Sequence, residues 1–118
     1  MELNNKSDQT INFVEQQIAH SLSRFIKDKI GKGPSEIKVK IVDNYVICCF
    51  CNFMTKAEML IIESGHPEKV SENRSLYKKQ CFDEIESIFK STLNKKIKHF
   101  LDNYILEDDI AYWTIIMD

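Results

Sequence analysis

The 118-residue chain carries 43% apolar and 29% charged residues with a net charge of −2, a globular composition. That near-balance excludes the strong basic excess of a general polyanion binder, and no apolar run approaches the ~18 residues that span a bilayer. Three glycines and two prolines are few enough that each is expected to mark a boundary.

The opening MELNNKSDQT is polar, without an apolar period or the form of a signal peptide. Residues 1–10 are therefore expected to be a flexible tail and residues 11–118 a single domain. From Ile11 the pattern is helical. Ile11, Val14, Ile18, Leu22, Phe25 and Lys29 fall on one stripe, with Phe13 and Ile26 beside it. Ser7 or Asp8 is placed to cap the start, Gly31 to close the end in a left-handed turn, and Pro34 forbids continuation.

The period then becomes two. In EIKVKIV, Ile37, Val39 and Ile41 alternate with Lys38 and Lys40, which predicts a half-buried strand with its lysines toward solvent. Asp43-Asn44 is a two-residue hairpin signal, and YVICCFCNF returns as a strand that is apolar at nearly every position. Thr55-Lys56-Ala57-Glu58 is a capping box that opens a short helix closed by Gly65. Pro67 suits the first turn of a long helix running to about Leu93. Its stripe is Val70, Tyr77, Cys81, Ile85, Ile88 and Phe89, widened by Leu76 and Phe82, and Asn94 can cap it left-handed. Two more strands follow, roughly 96–103 and 110–117, joined by an acidic turn. The order α-β-β-α-α-β-β predicts an α+β fold, a four-stranded antiparallel sheet with helices on one face.

Little in this pattern is catalytic. Cys48, Cys49 and Cys51 lie in a predicted strand whose neighbours point to opposite faces, and Cys81 is mid-helix, so the four read as reduced, small apolar residues. His20, His66 and His99 lack metal-pair spacing. No metal and no cofactor is expected. Lys27, Lys29, Lys32, Lys38 and Lys40 crowd one region and offer an alternative reading as a nucleic-acid or anion site, although no aromatic interleaving accompanies them. Arg74 sits on a helix stripe where an apolar residue is expected, which calls for a carboxylate partner. A second alternative is an enzyme with a site near it.

The order of motifs resembles a bacterial family, the Na+-translocating membrane-potential-generating system MpsC-like domain, over about residues 11–118. The likeness is carried by Gly31-x-Gly33-Pro34, the hairpin entry Ile41-Val42-Asp43, Thr55-x-Ala57-Glu58 and a helix with Arg74. Lys56 stands where that family usually has Pro, Asn94 where it has Gly, and Cys49 and Cys51 where it has charged or polar residues. The resemblance implies a small cytoplasmic α+β domain and carries over no catalytic residue. It implies an accessory or regulatory part in a sodium-linked membrane system, played through protein–protein association with a membrane-system partner and not as an enzyme.

Strand alternation places Val46, Cys48 and Phe50 toward the helices, with Ala111, Trp113, Ile115 and Met117. Tyr45, Ile47, Cys49, Cys51, Tyr112, Thr114 and Ile116 then face outward. An outward face this apolar is expected to meet a second copy, sheet to sheet, in a homodimer.

Overall fold

The computed structural model describes residues 2–118, with side chains described from residue 9. Helix α1 (Glu2–Ile30) buries Ile18, Leu22 and Ile26. Its backbone is helical through Ser7 and Asp8, and the side chains on which the cap expected there rests lie outside the described residues. The tail expected over residues 1–10 falls mostly on side chains outside the described residues. Ile11 and Phe13 do not join the core; both are exposed. The reason is length. A helix of 29 residues is ~43 Å long, while a seven-residue strand spans ~23 Å, so α1 reaches past the sheet it covers. Gly31 ends it at φ +93°, with its N–H on the Lys27 carbonyl.

Strands β1 (Glu36–Val42) and β2 (Tyr45–Cys51) form a hairpin turned by Asp43 at φ 54°. Strands β3 (Ile97–Ile105) and β4 (Ile110–Met117) form a second, through a 3-10 turn at Leu106–Asp108 and a left-handed Asp109. The four strands make one antiparallel sheet in the order β1-β2-β4-β3, so the hairpins join through β2 and β4. The helices cover one face, and the α+β architecture has the predicted element order. Val46, Cys48, Phe50, Ala111, Trp113, Ile115 and Met117 all point into that covered side.

Helix α2 (Lys56–Glu63) starts with the capping box as read. The Thr55 side chain accepts from the Glu58 N–H, and the Glu58 carboxylate accepts from the Thr55 N–H. The expected single helix to Leu93 is instead two, α3 (Pro67–Gln80) and α4 (Phe82–Leu93), parted by Cys81 at φ −103°, ψ 16°. Each half has a different partner. Helix α4 packs on α1 through Ile85 and Phe89, while α3 lies over β3 and buries only Val70. Leu76 and Tyr77, expected on the apolar stripe, are exposed. The inward face of α3 is Val70, Arg74 and Lys78, at i, i+4 and i+8, so cations stand where the stripe was read as apolar. Asn94 closes α4 left-handed, φ 55°, as read.

Candidate functional site

Two regions stand out: a polar junction at one end of the sheet and the uncovered sheet face. The junction forms around residues 52–55, which lead from β2 into α2. Asn52 takes φ 54°, turning the chain out of the strand. Every carbonyl of the next steps is taken. Lys32 Nζ donates to the Asn52 carbonyl (3.1 Å) and the Met54 carbonyl (2.6 Å), and Arg74 Nη2 donates to the Phe53 carbonyl (2.9 Å). The Met54 N–H donates to Asp109 Oδ1 at 3.0 Å.

Arg74 also grips Glu58 with two bonds, Nε to Oε2 at 2.7 Å and Nη2 to Oε1 at 2.6 Å, while its guanidinium carbon lies 5.0 Å from the centre of the Phe53 ring. The pair is only 10% and 12% exposed. Burial works against ionised Glu58, but Arg74 and the Thr55 N–H outweigh it and hold the carboxyl below its ordinary range. The cap partner and the arginine's carboxylate are thus one residue. A turn further on, Lys78 Nζ meets Asp102 Oδ1 at 2.7 Å and lies 4.7 Å from the centre of the Phe100 ring. Asp102 Oδ2 accepts from Ser75 and Tyr104 hydroxyls. Burial is again outweighed, so Asp102 is lowered; the Tyr104 hydroxyl, buried against that carboxylate, is pushed up.

The fold therefore gathers Gly31, Gly33 and Pro34, through Lys32, with Thr55, Glu58 and Arg74. Ala57 lies exposed on α2 beside them, and Asp43 is left at the other end of the sheet, in the hairpin turn. Beneath Arg74 lies a cavity of about 50 Å³ with apolar walls that include Phe50, Phe53, Ile85 and Trp113. Among the described residues no buried side-chain nitrogen or oxygen lacks a partner. Arg74, Glu58, Lys78 and Asp102 are all engaged with one another's elements, which fastens α2 and α3 to the sheet and leaves none of these four side chains without a partner. Lys78, Asp102 and Asp109 were not singled out in the sequence. Two signals existed: Lys78 is four residues beyond Arg74 on the same helix face, and Asp102 is a charge on a strand position flanked at i±2 by Phe100 and Tyr104.

The five lysines are not brought together. Lys27 and Lys29 lie on the last turn of α1, where Lys29 pairs with Glu84 at 2.9 Å. Lys32 is spent on carbonyls, and Lys38 and Lys40 point out from the opposite face of the sheet. Cys48 is fully buried, and burial pushes its thiol up, as it does that of Cys51. Neither is an activated thiolate. Among the described residues no three His, Cys, Asp or Glu side chains are placed to hold a metal ion.

The outer face has four cross-strand rows in β1-β2-β4-β3 order. They are Val42, Tyr45, Ile116, His99; then Lys40, Ile47, Thr114, Leu101; then Lys38, Cys49, Tyr112, Asn103; then Glu36, Cys51, Ile110, Ile105. All seven residues read as outward lie on it, joined by Val42, Leu101, Ile105 and Ile110. Tyr45 is 44% exposed, Ile47 40% and Leu101 55%. The two central strands contribute no charged side chain, and the charges stand at the β1 edge.

Among the described residues no helix is long and apolar enough to cross a membrane. The family model described as Na+-translocating membrane potential-generating system (MpsC) matches residues 10–118. No curated protein and no solved structure matches the chain.

Proposed function

The chain belongs to the Na+-translocating membrane potential-generating system (MpsC) family, and from that membership we propose an accessory or regulatory component of such a system that acts by protein–protein association and not by catalysis. It works at the cytoplasmic side, as a homodimer formed through the open sheet face, with a protein of the membrane system as its further partner. One observation carries this reading. The polar junction is internally satisfied, whereas the sheet presents a contiguous outer surface of Tyr45, Ile47, Ile116, Thr114, Tyr112 and Leu101 that none of the described residues covers. Lone exposed apolar residues are ordinary, but a contiguous face of them marks an interaction site.

The test is sedimentation equilibrium of the purified chain at micromolar concentration, beside Ile47→Lys. The wild type is expected as a dimer and Ile47→Lys as a folded monomer. A monomeric wild type would sink the homodimer. Co-purification of the tagged chain with membrane proteins of the host, lost in variants of a surface patch but kept in Ile47→Lys, would place the second partner elsewhere than the sheet face.

A further inference from the structure

Resting on that reading, we infer that the second copy lies face to face with its two-fold axis nearly parallel to the strands, so that β1 of one subunit lies over β3 of the other. The edges of the sheet argue for the face. An edge strand recruits a partner through unpaired backbone groups, and both edges here are blunted. On β1, the Ile41 N–H donates to Glu15 of α1 at 2.8 Å, and Lys38 and Lys40 alternate along the strand. On β3, the Ile97 N–H donates to Glu86 of α4 at 2.9 Å, and the pairing slips between Ile97 and His99, leaving Lys98 as an extra residue. A bulge of this kind bends an edge away from further pairing.

The rows then choose between the two ways of stacking identical sheets. With the two-fold axis across the strands, each strand lies over its own copy and the row order reverses. Lys38 then meets the partner's Lys40, and Lys40 the partner's Lys38, so four ammonium groups share one rim. Two Glu36 carboxylates, one per copy, lie a row away over the partner's Val42, and juxtaposed like charges are costly at an interface. With the axis along the strands, the row order is kept and the strand order reverses. Lys38 meets the partner's Asn103, Lys40 the partner's Leu101, and Val42 the partner's His99. At the centre, Tyr45 meets the partner's Ile116, Ile47 the partner's Thr114, and Cys49 the partner's Tyr112. This second arrangement keeps the apolar β2–β4 strip against itself and spreads the lysines to two opposite rims, where their long stems cover apolar surface and their ammonium groups reach water. The face is modest. Four strands ~4.8 Å apart and seven residues at ~3.3 Å give roughly 440 Å² per copy, about 900 Å² for a pair. That is below a standard interface, so the dimer is reversible and concentration-dependent.

Disulfide trapping reads the axis. In a background of Cys49→Ser, Cys51→Ser and Cys81→Ser, Lys38→Cys combined with Asn103→Cys is expected to give covalent dimers with copper phenanthroline as oxidant, while an equal mixture of Lys38→Cys chains and Lys40→Cys chains gives none. Efficient trapping in the mixture of Lys38→Cys and Lys40→Cys chains, or none from the Lys38/Asn103 pair in a background that still dimerises, would overturn the axis. A wild type that is monomeric in the ultracentrifuge would instead overturn the dimer on which the axis rests. Should the serine background fail to fold, Lys38→Glu in the native chain decides. Less than about a threefold change in dimer affinity is expected with Asn103 opposite, whereas tightening by tenfold or more would mean that it faces Lys40 and would overturn the proposal.

Discussion

Arg74 and Lys78 replace apolar residues on the inward face of α3, and each is paid back by a carboxylate and an aromatic ring. Removing one partner of so shielded a pair strands the other, which typically costs about 3 kcal/mol or more. Arg74→Ala is expected to lose that much in urea unfolding at pH 7, because Glu58 and the Phe53 carbonyl both lose their donor. Arg74→Lys should recover only part, since an ammonium cannot repeat the two-bond grip on the carboxylate. The pH dependence follows from Glu58 and Asp102. Both are lowered in the folded chain, so in the acid range the unfolded chain binds more protons than the folded one. Their contribution is complete above the ordinary carboxylate range, near pH ~4, and is lost as pH falls through the lowered folded values. Melting temperature should therefore drop on acidification below about pH 5, and Asp102→Asn should drop less steeply from a lower start; an equal slope in the variant would remove Asp102 from the account. At this scale the sequence was half legible. A stripe arginine announces a carboxylate partner, and Glu58 stood out as a cap residue. Nothing in the spacing joins them, because they are 16 residues apart and the fold alone brings α2 and α3 side by side.

Elements were more legible than their contacts, because periodicity and end chemistry are local. The first hairpin, the capping box of α2 and the closures at Gly31 and Asn94 follow from positions that take positive φ cheaply or from side chains that reach back to the helix end. Asn52 and Asp109 also take positive φ but went unread, since each lies at a strand end whose position depends on the other: the Asn52 N–H donates to the Asp109 carbonyl at 2.8 Å. The break at Cys81 escaped for a related reason. The hydrogen bonds that flank it, Cys81 N–H to Tyr77 and Ile85 N–H to Cys81, remain helical, so no proline or glycine signals it. What bends the chain is the demand that α3 reach Asp102 while α4 packs on α1. Thr55 tests the capping argument at this scale. Thr55→Ala should destabilise by about 1 kcal/mol, read as a lower urea midpoint at unchanged slope, and Thr55→Ser should restore most of it.

For the whole molecule, the sheet is finished on one face and open on the other, and the open side was legible because alternation in β4 and the cysteine-rich β2 left apolar residues on both faces. What the sequence withheld was strand order, and with it the rows that put Lys38 and Lys40 on a rim and Thr114 and Ile47 at the centre. Association through such a face is linked to folding, since a partner that binds only the folded chain raises its stability as concentration rises. The wild-type melting temperature is therefore expected to climb with protein concentration across the micromolar range. Ile47→Lys should abolish that dependence while leaving the value at high dilution nearly unchanged, because Ile47 lies on the uncovered face, 40% exposed, and outside the core. A melting temperature independent of concentration in the wild type would mean that the face stays open, and a collapse of Ile47→Lys at all concentrations would mean that Ile47 supports the monomer itself. The two outcomes separate a surface that is apolar for association from one that is apolar because the single chain needs it.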